Sequence, residues 1–290
     1  VKVYFQPKLK GKASAMNRGM NFIHTPIVVF TDANTLLNRA SIKEIVKCFT
    51  DPKVGCVSGE KRIIDREMDD AAGGGEGFYW KYESLLKDYD SRLYSAVGAA
   101  GELFAIRTNL YTTISKDTLL DDFMLSMNIA AAGYKIAYCK EAYATEGGSA
   151  GMKDEQIRKV RISAGGLQSI WRLRKLCNIF KYRTLSFQYI SHRVLRWSIT
   201  PIFMFALLPV NLLIVLFNPT ALYLAFFIIQ CIFYLMAIMG KRLADKQIKN
   251  KILFIPYYIL FMNLNVLKGI SYLYKHIESG DGVWEKSKRK

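Results

Sequence analysis

Acidic residues become scarce in the second half of this 290-residue chain. Residues 151–290 hold 22 Lys and Arg against 6 Asp and Glu, while residues 1–150 hold 19 against 18. The net charge of +17 therefore sits almost wholly in the second half. Charge is absent altogether from Ser198 to Phe217 and from Pro219 to Gly240. Each stretch is about the ~20 residues that a helix needs to cross hydrocarbon. With no ionisable side chain in either, they lack the intramembrane charges of an ion or substrate path, which counts against a channel or transporter. Cysteine lacks pattern: Cys48, Cys56, Cys139, Cys177 and Cys231 are scattered, odd in number and form no CxxC pair. That argues against a disulfide framework and a structural zinc, and it fits a reducing, cytoplasmic setting for the first half. There is no GxxxxGK[ST] loop, no internal repeat and no low-complexity tract.

What is present divides the chain in two. The basic excess flanks the apolar blocks, so it reads as charge for an anionic membrane surface rather than for nucleic acid. The chain opens on Val1, and VKVYF reads as a strand already under way, so an upstream portion is expected. Ile27 to Phe30 is a short apolar β-branched run, expected as a buried parallel strand. Ser41 to Phe49 has apolar residues at helical spacing, with Ser41 as N-cap and Glu44 at the capping-box position. Val54 to Ser58 is a second strand, so strand, helix and strand form a βαβ unit and the first half is α/β. A helix is expected over Glu76 to Tyr89, a strand over Leu103 to Ile106, a helix over Asp121 to Ala132 ended by Gly133, and a strand over Tyr134 to Tyr138.

Asp154 to Leu176 is basic and amphipathic, with Ile157, Val160, Leu167, Ile170 and Leu173 suited to a membrane interface; an ordinary surface helix is the alternative. The two uncharged stretches form a hairpin, 198–240. A third apolar segment, 252–272, either spans or lies re-entrant or interfacial. The positive-inside rule puts Arg193, Arg196 and the loop Lys241 to Lys251 on the cytoplasmic side.

Three short segments carry candidate chemistry. Thr31-Asp32-Ala33-Asn34 follows the apolar strand, and ligands bind off the carboxyl ends of strands in α/β sheets. Asp32 with Asn34 two residues on is suited to a divalent cation bridging a diphosphate, since Mg²⁺ accepts sparse protein ligation completed by phosphate oxygens. Alone, such residues are more often turn or cap residues. Gly11 to Gly19 (GKASAMNRG) sets Lys12 among small residues, as a point charge for phosphate or as a solvated helix start. Asp121-Asp122 opens a helix, where one carboxylate caps and the other is a candidate general base.

In this order the segments resemble the family 2 inverting glycosyltransferases of the GT-A fold, the group of the cellulose, hyaluronan and poly-N-acetylglucosamine synthases. The resemblance covers nearly the whole chain. It implies a Rossmann-like mixed sheet followed by C-terminal transmembrane helices. Lys12 matches the family's donor-binding Lys and Asn17 the Asn that closes that motif. Asp32 and Asn34 match the ends of its metal-binding DxD. Gly98 to Glu102, then Ala105-Ile106-Arg107, is similar to the acceptor-side segment, with Gly101 and Glu102 as its site residues. Asp122 matches the catalytic base, and Arg158 to Ile162 takes the place of QxxRW, where Arg161 is expected near the donor diphosphate and Arg158 beside it. The chain departs from the pattern at Asn34, at Arg158 for Gln, at Ile162 for Trp and in the size of Glu102, so processivity does not carry over.

The resemblance implies a cytoplasmic domain over 1–152 whose N-terminal part is missing, basic interfacial helices over 153–197, a transmembrane region over 198–275 and a basic tail over 276–290. It implies a multi-pass inner-membrane enzyme that uses Mg²⁺ or Mn²⁺. The sugar would pass from a nucleoside diphosphate, UDP by preference, to a glycan or lipid-linked acceptor, with membrane lipid as partner and nucleic acid not. A non-catalytic subunit that keeps the fold is the rival, favoured by Asn34, Arg158 and Ile162. Oligomeric state is not legible.

Overall fold

The computed structural model describes residues 2–5, 11–63, 71–147, 151–246, 248 and 250–279. Val1 and the tail from residue 280 onward lie outside them. Helix α1 (Gly11–Met20) leads to β1 (Ile27–Thr31), the short β2 (Leu36–Leu37), α2 (Ser41–Cys48), β3 (Val54–Ile63) and α3 (Ala71–Leu93). Strand β4 (Leu103–Arg107), α4 (Asp121–Ala131) and β5 (Lys135–Glu146) complete the α/β part. The described sheet has the order β1-β4-β3-β5-β2. Strands β3 and β5 are parallel, whereas β4 runs antiparallel to both β1 and β3.

Ile27 to Phe30 is thus not a buried parallel strand. It pairs antiparallel with β4, Ile27 opposite Arg107 and Thr31 opposite Leu103, at the margin of the described sheet. Only Val28 is fully buried. Strands β1 and β3 do run the same way across α2, as a βαβ unit requires, but β4 inserts between them. An apolar run records that both faces are covered, not the direction of the neighbour. Here Val28 and Phe30 join the layer under α4, and Ile27 and Val29 join the layer under α2. The same two-residue period sends Phe104 and Ile106 of β4 one way and Leu103 and Ala105 the other.

Ser41 does not cap α2. Ala40 holds the cap position without a side-chain hydrogen bond, and Glu44 bonds Lys47 instead of reaching back. Ser41 is buried and donates its N–H to the Asn38 carbonyl, so the turn before the helix satisfies that end. Helix α4 stops at Gly133, whose φ of +97° suits glycine alone.

Helix α5 (Met152–Arg172) buries an unusual face. Glu155, Arg158, Lys159, Ser163, Ala164, Gly165, Gly166 and Ser169 are turned inward, while Ile157 and Trp171 stay exposed. The exposed residues of this helix are Lys153, Ile157 and Trp171. Short helical turns over Arg174–Cys177, Ile179–Tyr182 and Thr184–Tyr189 and a π-type turn at Ile190–Val194 lead to three long helices. These are α6 (Ile199–Phe217), α7 (Ala221–Asp245) and α8 (Lys251–Ser279). All three are long and apolar enough to cross a membrane. Helix α8 packs along both α5 and α7. The close approach rests on glycine: a Cβ on Gly269 would fall 2.7 Å from Ser163 Cβ, and one on Gly240 would meet the Leu253 carbonyl.

Candidate active site

The carboxyl end of β1, the start of β4 and the first turn of α4 converge on one rim of the sheet. Asp32 follows β1 directly, and its Oδ1 accepts a hydrogen bond from Lys12 Nζ at 3.0 Å. The same ammonium lies 3.4 Å from Asp121 Oδ2. Lys12 therefore bridges the β1 loop and the start of α4. Burial works against its charge, but Asp121, Asp122 and Asp32 outweigh that and hold its pKa above the usual lysine value.

Asp122 lies beneath Gly101, where an added Cβ would come within 3.0 Å of the carboxylate. Burial raises the Asp122 pKa to about 7, Asp121 pushes the same way, and Lys12 opposes both. A carboxyl with a pKa near neutrality matches the requirement for a general base. The segment above it is held rigidly. Ala99 N–H donates to Ser126 Oγ at 3.0 Å and Ala100 N–H to Ser58 Oγ at 3.2 Å. Gly98, at φ +91°, lies flat against the Phe123 ring where no Cβ would fit.

A cleft of about 310 Å³ opens beside these groups. Lys12, Thr31, Asp32 and Gly101 form its polar end, and Met16, Met20, Ile23 and Phe30 an apolar wall. Apolar pockets with a few convergent polar groups are the usual form of small-molecule sites.

The remaining predicted residues are placed differently. Asn17 braces a loop: its Oδ1 accepts from Tyr111 OH at 2.7 Å and Ile114 N–H at 2.9 Å, and its Nδ2 donates to the Ile114 carbonyl. Asn34 donates from Nδ2 to Glu146 Oε1 at 2.7 Å. Glu102 is buried, and Lys61 Nζ lies 2.5 Å from both Glu102 Oε1 and Glu146 Oε2. Burial pushes the Glu102 carboxyl up, but Lys61 and Arg158 more than offset this and hold it at about 2. Removing one partner of such a buried ion group typically costs about 3–5 kcal/mol. Arg158 is itself buried, 3.6 Å from Glu155, and is not among the residues lining the cleft. Arg161 is partly buried. Burial and Arg158 lower its pKa, while Tyr272, Asp121 and Asp122 act to raise it, which sets the guanidinium within the field of the acid pair.

Lys61 and Glu146 fall in no sequence motif, and Lys61 meets Glu102 and Glu146 across 41 and 85 positions of chain. Asp121 was visible as the neighbour of Asp122, but its contact with Lys12 was not.

A divalent cation fits the β1 loop in a limited sense. No group of three or more His, Cys, Asp or Glu suited to a metal exists among the described residues. Asp32 supplies one carboxylate, and Asn34, with its nitrogen tied to Glu146, has its carbonyl oxygen left to offer. Two hard oxygen donors suit Mg²⁺ or Mn²⁺ with phosphate oxygens completing the shell.

Residues 27–239 match the family model described as Glycosyl transferase family group 2. An O-antigen chain rhamnosyltransferase of Salmonella typhimurium is 26% identical over 123 residues, which is 40% of this chain and 39% of that protein. The match therefore spans well under half of that relative. Among solved structures, a mannosyltransferase of Pyrobaculum calidifontis in complex with GDP-Man and Mn²⁺ superposes with a TM-score of 0.61. It is 19% identical, over 93% of this chain and 68% of that one, a likeness of fold.

Proposed function

The chain belongs to the Glycosyl transferase family group 2, and from that premise we propose that it moves a sugar from a nucleoside-diphosphate donor, UDP by preference, to a glycan or lipid-linked acceptor at a membrane. The observation that carries this reading is that Lys12, which lines an open cleft with Asp32 and Gly101, joins Asp32 to Asp121 at the start of the helix that carries Asp122, whose carboxyl is raised to about 7.

Asp122 takes the proton of the acceptor hydroxyl as that oxygen attacks the anomeric carbon from the face opposite the diphosphate. Gly101 leaves the acceptor room beside the carboxylate. Lys12 and Arg161 stabilise the negative charge that develops on the departing diphosphate. A Mg²⁺ or Mn²⁺ ion held by Asp32 and Asn34 would add Lewis-acid stabilisation of the same charge. Arg158 and Glu102 act as buried framework, and Asn17 holds the Tyr111–Ile114 loop against α1.

Helices α6 to α8 seat the protein in the membrane, with the catalytic domain on the cytoplasmic side. The basic loop after α7 supports that orientation. Arg193 and Arg196 both engage Glu83 of α3, tying the start of α6 to the domain.

Asp122→Asn in the full-length protein lowers transfer by about 10²–10⁴-fold, the usual contribution of a general base, and leaves donor binding nearly intact. Steady-state transfer measured beside donor calorimetry reads both quantities. Undiminished turnover removes Asp122 from the mechanism.

A further inference from the structure

We propose that Glu146, held by Lys61, is a positioning residue that fixes the orientation of Asn34, and that this contact is the reason position 34 is an amide. The proposal rests on the reading of Asp32 and Asn34 as the donor-diphosphate and cation loop.

Four groups meet where three strands end on the site's rim. Lys61 lies near the end of β3, beyond the register shift between Gly59 and Glu60, and Glu146 is the last residue of β5. Glu102 directly precedes β4, and its carbonyl accepts from Thr31 Oγ1 at the end of β1. Lys61 is wholly buried and joins both carboxylates, and Glu146 is 1% exposed. A fully buried carboxylate bound to a buried ammonium has one arrangement open to it, so Glu146 Oε1 is a fixed acceptor. Asn34, on an otherwise exposed turn, donates to that acceptor at 2.7 Å. The β1 loop is thereby anchored to the far side of the sheet, 112 residues away in sequence.

The chemistry of position 34 follows. An aspartate there would set a second carboxylate against Glu146 at hydrogen-bond distance, replacing a donor by a like charge. An amide donates through nitrogen to Glu146 and keeps an oxygen for the ligand side. Asn34 and Glu146 thus form one unit carrying a single negative charge, in which the amide must face the loop and the carboxylate must face Lys61.

The unit can be inverted. In N34D/E146Q the new carboxylate accepts from the new amide, the amide oxygen accepts from Lys61, and total charge is unchanged. The test is calorimetric binding of Mn²⁺ with UDP, and of Mn²⁺ with GDP, to the full-length protein in detergent, with thermal unfolding read in parallel. Partners that orient metal ligands are typically worth about 10–100-fold in affinity. Asn34→Asp should therefore weaken Mn²⁺-dependent nucleotide binding by about tenfold or more, and N34D/E146Q should recover it to within about threefold of wild type. Asn34 is exposed, so Asn34→Asp tests the proposal even where Glu146→Gln does not fold. Equal or tighter binding by Asn34→Asp, as an independent second carboxylate ligand would give, overturns it, and so does a double variant no better than the single. A wild-type protein that binds neither nucleotide with Mn²⁺ instead overturns the donor-site reading on which the proposal stands.

Discussion

Gly101 and Asp122 face each other at a distance that admits no methyl group without movement. Gly101→Ala would bring its Cβ to 3.0 Å from the Asp122 carboxylate, so the base must give by a few tenths of an ångström. The expected result is a fall in kcat of up to about tenfold with a smaller change in donor KM, less than the ~10² that a misplacement of ~1 Å costs. Asp122 also sets a pH dependence. Its carboxyl works only when deprotonated, and its pKa is raised to about 7. Below that value kcat/KM should therefore fall about tenfold per pH unit, and above it reach a plateau. A profile flat from pH 5 to 8 would contradict the assignment. Several of these residues were legible in sequence because each sits at a strand end or helix start, where local order alone marks a site: Lys12, Asp32 and Asp122 do meet. The buried ions were not legible. Lys61 lies beyond the strand expected over Val54 to Ser58, in the part of β3 that the fold adds, and only the fold sets Glu102 and Glu146 against it. Asn17 matches a donor-binding residue by its place in the motif, and its side chain bonds Tyr111 and Ile114, contacts that sequence order does not reveal.

Among the elements, α5 and α8 carry the tie between the domain and the apolar helices. Tyr258 of α8 donates to Glu155 Oε1 at 3.1 Å, and Glu155 neighbours Arg158 and Lys159. Below that polar contact the two helices touch at Gly269, against Ser163 and Ala164. Gly269→Val should cost about 1–3 kcal/mol through overpacking and loosen α8 from α5, read as a lower unfolding midpoint in detergent. A variant as stable as wild type would show that the helices part without consequence. Helix periodicity located these elements well, because each carries a strong apolar pattern. In α5 it marked the apolar positions but not the face that is buried. A charged stripe signals solvent until other helices cover it, as Tyr79 of α3 does by stacking under Lys159 and Tyr258 of α8 does by donating to Glu155. The direction of β1 was illegible for a related reason, since strand pairing depends on a segment more than 70 residues later.

Over the whole molecule, charge and function separate along the chain. The nearly neutral first half holds the carboxylates that a donor site needs, and the basic second half flanks three apolar helices. Under the proposed function, a domain so seated would work at the bilayer surface, where a lipid-linked or glycan acceptor would be held near Asp122. The central claim is that this arrangement transfers sugar, and that it is not a retained fold without activity. Release of nucleoside diphosphate from a panel of nucleotide sugars, measured on membranes containing the full-length protein with and without Mn²⁺ or Mg²⁺, tests it most directly. The account predicts release that requires the divalent ion, requires acceptor and disappears with Asp122→Asn. Release that is absent for every donor, or that persists at the same rate in Asp122→Asn, would contradict it.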